Sequence, residues 1–187
     1  MRMVMVSFAV AVVAFQAKAA DQTAPPARTA ISILGVTLGE PLTGNTTEMK
    51  GGPPGVPSLG MQHFQVRLAD GQRPRFMKYQ YFFADVIDGK VEGVTVFTTG
   101  QGAERDALRQ LTEKFGAPSA SEEKVKQNRL GVAFTYTDAR WTLPTGEVRF
   151  EGLTSDADTG RISANSTAML AKYVEQAKAM RATEPSL

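Results

Sequence analysis

Residues 61–98 read MQHFQVRLADGQRPRFMKYQYFFADVIDGKVEGVTVFT, and their alternation decides the fold. From 61 to 69, Phe64, Val66 and Leu68 fall on one side of an extended chain. Asp70-Gly71 follows, a pair that readily takes the positive φ of a hairpin turn. A second run covers 76–87, with Met77, Tyr79, Tyr81 and Phe83 on one side and Lys78 and Gln80 on the other. Asp88-Gly89 turns the chain again. The run 90–98 then sets Val94 and Val96 against Thr95 and Phe97. A period of two, broken at Asp-Gly pairs, predicts three antiparallel strands in a meander.

The period then changes. Between about 102 and 115, Leu108, Leu111 and Phe115 recur at helical spacing with Ala107 beside them. Glu104 and Asp106 lie in the first turn, where the helix dipole favours acids. Gly116 suits the left-handed stop, and Pro118 blocks continuation. Leu108, Leu111 and Phe115 are the natural cover for the aromatic row at 79–83.

The plan recurs downstream. Val132, Phe134 and Tyr136 alternate, as do Trp141 and Leu143, and Thr145-Gly146 turns. Residues 147–151 place Val148 and Phe150 inward, and Ile162 and Ala164 mark a last short strand. Ser166 or Thr167 caps a final helix with Leu170, Tyr173, Val174 and Ala177 on one face. Upstream, 31–42 is the first ordered element, and 43–59 reads as loop around its Gly-Pro core at 51–57. The fold class is α+β: an antiparallel β-meander sheet with two helices packed on one face. A duplicated βββα unit, with halves 31–118 and 119–182, is a second option within the same class.

The chain's start is an address. Met1-Arg2 precedes an apolar run from Val4 to Phe15, and Ala17-Lys18-Ala19 offers the small-x-small pattern cut by a signal peptidase. Residues 1–19 read as a signal peptide, cleaved after Ala19 or Ala20. Residues 20–30 read as a disordered leader, 31–182 as one domain and 183–187 as a tail. Cleavage removes Arg2 and Lys18, so twenty-one basic residues become nineteen against nineteen acids, and the formal charge of +2 falls to zero. A neutral chain lacks the basic footprint of a nucleic-acid binder. The absence of cysteine excludes disulfides, thiol nucleophiles, Cys-ligated metals and a lipoprotein anchor. These features point to the periplasm or the exterior, with no integral membrane segment after cleavage and a monomer by default.

The run Lys114-Phe115-Gly116-Ala117-Pro118 closes a helix ahead of antiparallel strands. In this layout the chain resembles small secreted domains of the β-lactamase-inhibitor-protein type. It is also similar to the short envelope lipoproteins that accompany outer-membrane barrel assembly. The resemblance implies protein binding in the envelope and carries over no functional residue.

Catalytic signals are sparse. His63 is the one histidine; no HExxH, paired-His or G-x-S-x-G pattern occurs, and its place in a meander predicts a half-exposed structural side chain. The Asp156-Ala157-Asp158-Thr159-Gly160 run lacks the glycine and terminal acid of a calcium loop. Glu147 and Glu151 fall on the polar side of their strand. No catalytic residue, metal site or cofactor is assigned. Arg67, Arg73, Arg75 and Lys78 gather around the Asp70-Gly71 turn and form the one candidate site, a grip for an anionic partner. The reading is a secreted, non-catalytic binding or accessory protein whose partner is another envelope protein. An envelope hydrolase without a recognisable motif and a small-ligand or glycan binder are the alternatives.

Overall fold

The computed structural model describes residues 30–50, 60–127, 131–154 and 158–182, the last four of them as backbone only. The segments read as signal peptide and tail, most of the expected leader and the Gly-Pro core at 51–57 lie outside the described residues.

Two short strands, β1 (Ser32–Ile33) and β2 (Val36–Thr37), form a hairpin of their own. The main sheet takes β3 (Thr46–Met49), β4 (Gln62–Arg67), β5 (Tyr81–Ile87) and β6 (Lys90–Thr98) from the first half. Helix α1 (Gln101–Phe115) follows. The second half supplies β7 (Ala120–Gln127), β8 (Ala133–Leu143), β9 (Gly146–Glu151) and β10 (Gly160–Ser166), then helix α2 (Thr167–Ala182). The eight strands run β3-β4-β5-β6-β10-β9-β8-β7 and pair antiparallel throughout. Each half is thus a four-strand meander, and their last strands join at the centre.

Register divides the side chains between two faces. On the front, Val66 lies opposite Phe82, Ala84 opposite Val94, and Val96 opposite Ile162. Phe150, Val148 and Trp141 continue that layer. Helix α1 lies on it through Ala103, Ala107 and Leu111, and Ile31, Ile33 and Val36 of the first hairpin complete the cover. The Trp141 indole N–H donates to the Gly116 carbonyl at 2.9 Å, fixing the helix end to β8. Gly116 takes the positive φ expected at the stop, +85, but with ψ −167, so it ends the helix in an extended rather than a left-handed helical conformation.

The α+β class and the antiparallel meander stand, but the two helices do not share a face. A bulge leaves Glu92 unpaired between Val91 and Gly93, which sit opposite Val86 and Asp85. Ser166 Oγ accepts the Met169 N–H at 3.0 Å and donates to the Glu92 carboxylate, so the cap of α2 is tied to the bulge. Met169 drops into the space left by Gly93, on the back of the sheet. The front was already filled by α1 and the first hairpin. The repeat therefore extends to strand order and stops at the helices.

Several boundaries also move. β3 and β7 are edge strands without an alternating apolar pattern, and each adds a fourth strand to its half. β5 begins at Tyr81, and Met77 leaves the strand to join the front core. The alternating runs at 132–136 and 141–143 are one strand, β8, whose apolar side chains change face along its length. The turn after β8 falls on Pro144 and Thr145, because Gly146 pairs with Leu143. On α2 the buried residue is Met169; Val174 is 53% exposed and Ala177 lies in solvent.

Candidate functional site

The back of the first half carries the aromatic row. Tyr81 and Phe83 alternate with buried Phe82 and Ala84 on β5, and Phe97 projects to the same side from β6. The Tyr79 and Tyr81 rings stack with centroids 5.2 Å apart and planes 6° from parallel. Phe97 meets Tyr79 edge-on at 6.3 Å and Phe83 at 6.1 Å. Phe83 is buried, Tyr81 and Phe97 are half-buried, and Tyr79 is 38% exposed. Leu108, Leu111 and Phe115 do not cover this row, because α1 lies on the opposite face. The row is consequently a partly open patch.

The four predicted cations are not one cluster. Arg67 ends β4 directly opposite Tyr81 and is exposed. Lys78 borders the same patch, its ammonium 5.9 Å from the Tyr79 ring centroid. It also donates to the Thr159 hydroxyl at 2.5 Å and to Asp158 at 3.3 Å. Arg73 instead folds back to donate to the Met77 carbonyl. Arg75 acts toward Asp106 on α1; the Asp106 carboxyl is held below its usual range first by a hydrogen bond from Arg109, with Arg75 a smaller influence. Arg67 and Lys78 thus belong to the patch, and Arg73 and Arg75 face other neighbours.

Further along the same strands the back face closes. His63 and Asp85 lie opposite each other on β4 and β5, with exposures of 3% and 2%. His63 Nδ1 and Asp85 Oδ1 are 2.7 Å apart, and His63 Nε2 is buried with no hydrogen-bond partner among the described residues. Burial pushes the Asp85 carboxyl above its usual range, against the opposing pull of His63. Tyr173 of α2 is raised too, by burial first and by the Asp85 charge second. His63 is therefore not the half-exposed side chain its strand position predicts; it is buried, paired with Asp85 of the adjacent strand. The missed partner, Asp85, had one signal: it interrupts the otherwise apolar run Phe82-Phe83-Ala84-Asp85-Val86-Ile87. A His–Asp pair can orient an imidazole for proton transfer. Among the described residues, no hydroxyl bonds to the free nitrogen.

The back of the second half is ionic. Asp138 accepts Lys124 at 2.7 Å and meets Arg149 at 3.5 Å. Glu151 meets Arg149 at 3.4 Å and Arg161 at 2.5 Å. Glu147 pairs with Arg140 at 3.3 Å. Lys124, Asp138, Arg140 and Arg149 line a shallow groove of about 260 Å³. The carboxylates that could have formed an acid–base couple are held by cations. Among the described residues, no group of three or more metal-ligating side chains occurs. No described helix is long and apolar enough to cross a membrane.

Comparison with protein-family models, curated proteins and solved structures finds no match for this chain.

Proposed function

We propose that this chain is a secreted, non-catalytic binding protein of the bacterial envelope, and that its partner is another protein seated on the Tyr79–Tyr81–Phe97 patch. The observation that carries this reading is the stacked Tyr79–Tyr81 pair, open to solvent beside Arg67. Tyrosine and arginine dominate the energetic centres of protein interfaces. The two rings stack on each other, so they present edges and hydroxyls rather than a flat platform for a sugar. Arg67 at the margin favours a partner with an acidic rim around an apolar centre. Lys78, held by Asp158 and Thr159, frames the other margin. The signal-peptide pattern supports the location.

The test is cross-linking in the envelope followed by capture of the mature protein, in wild type and in Tyr79→Ala/Arg67→Glu. The wild type recovers one reproducible protein, and the double variant weakens its binding by about 30-fold or more, the effect of losing a hot spot. Equal recovery by the variant would remove the patch. The enzyme reading has one observation in its favour, the His63–Asp85 pair. It predicts that His63→Gln abolishes a hydrolytic activity while leaving partner capture intact.

A further inference from the structure

β7 is the outermost strand of the second half. It holds eight residues, with no proline or glycine among them. Its register with β8 is unbroken from Ala120 opposite Arg140 to Gln127 opposite Ala133. Among the described residues, no strand pairs with its outer side. A straight edge of this length offers a row of backbone donors and acceptors to another chain. Val125, on this strand, is 66% exposed. Charge guards the edge against most strands, yet the order Glu122-Glu123-Lys124-Val125-Lys126 suits one. Glu122, Lys124 and Lys126 alternate onto the back of the sheet, and Glu123 and Val125 onto the front. On the back, the Lys124 ammonium lies 3.5 Å from Glu122 and 2.7 Å from Asp138.

We propose that β7 pairs antiparallel with β7 of a second copy of this chain, about a two-fold axis at Lys124, joining the two sheets into one. Such an axis requires residues of like parity to oppose each other, because a one-residue slip sends side chains to the wrong face. Two registers of this kind keep nearly all of the strand paired, one centred on Glu123 and one on Lys124. The first sets Glu123 against its own copy. The second sets Glu122 of each copy against Lys126 of the other, and Glu123 against Val125. Its one like-charged contact is Lys124 with its copy, and each of these ammoniums is already held by an Asp138. Lys126 donates to the Thr154 carbonyl, and an ammonium has further donors for a carboxylate across the edge. The self-complementary charge order thus selects both the partner and the register. This edge is separate from the aromatic patch of the first half.

The experiment is sedimentation of the mature protein up to about 1 mM. A single strand pair is a small interface, under about 1,000 Å², and sets a dimer Kd on the order of 100 μM. Glu122→Lys places lysine opposite Lys126 at both ends and weakens the dimer about tenfold or more. Adding Lys126→Glu restores it. The two residues are four apart on one strand, about 13 Å, so the rescue can only pass between copies. A second measurement fixes the register. The chain has no cysteine, so Lys124→Cys, opposite its own copy, oxidises to a disulfide-linked dimer. Glu123→Cys, opposite Val125, does so at least tenfold more slowly. A protein that stays monomeric at about 1 mM, a charge-swapped double variant as weak as Glu122→Lys, or equal cross-linking at the two cysteine positions overturns the proposal.

Discussion

Asp85 shows what one residue can do to a sheet. Its carboxyl is buried at 2% exposure, and that burial raises its pKa despite the His63 bond at 2.7 Å. A raised pKa means that the native state holds the proton more tightly than the unfolded chain does. The stabilising contribution is complete below the ordinary carboxylate value of about 4 and is lost as pH rises through the raised value. Asp85→Asn keeps an acceptor for His63 and removes the titration. Denaturant unfolding followed upward from about pH 4 should therefore show wild type losing stability relative to Asp85→Asn as pH rises. A pH-independent difference would contradict the assignment. The residue-level chemistry was only partly legible. An aspartate inside an apolar strand signals a buried partner, but pairing with His63 depends on strand register, which local sequence leaves open. Gly93 is similar: a Cβ there would lie 2.9 Å from Asp85 Oδ2 and 3.2 Å from Met169 Cε, and nothing in its neighbours announces that a helix needs the space.

At the scale of elements, α1 was legible as a helix and misleading as a surface. Its bulky residues draw attention to Leu108, Leu111 and Phe115, yet the buried stripe is Ala103, Ala107 and Leu111, spaced by four. Two alanines let the helix approach the sheet closely, and Leu111 fills the contact beyond them. Phe115 sits at the margin, half-buried, with the Lys114 ammonium 5.8 Å from its ring centroid. Leu111→Ala should thus cost about 2–5 kcal/mol, the range for truncating a core leucine. Phe115→Ala should cost clearly less than the 3–5 kcal/mol typical of a buried phenylalanine. Urea unfolding of both variants checks the order, and a larger loss at Phe115 would mean that the helix sits in another rotation. The edge strands were not legible. β7 reads ASEEKVKQ, with no apolar face to reveal it, because an edge strand is shaped by solvation and protected by charge.

For the whole molecule, the deciding feature is the seam between β6 and β10. Six residue pairs, from Gly160 opposite Thr98 to Asn165 opposite Gly93, join the two meanders into one sheet. The sequence makes each half look self-sufficient, a set of strands closed by a helix. The packing contradicts this at three points. Val96 of the first half is covered partly by Ile162 of the second. Helix α1 ends against Trp141 of β8. Helix α2 buries Met169 over Gly93 and Asp85, which belong to the first half. Each half therefore completes the other's core. Cut apart, the first half would also expose β6, a central strand whose residues are buried on both faces, and an unpaired apolar edge invites aggregation. Residues 30–118 alone should lack a cooperative unfolding transition by circular dichroism. Mixed in equal amounts with 119–182, they should regain one, because the seam and both helix contacts re-form together. Cooperative unfolding of 30–118 by itself would show that the halves are separate domains. It would also move the origin of the sheet's symmetry from shared packing to an assembly of two units that fold independently.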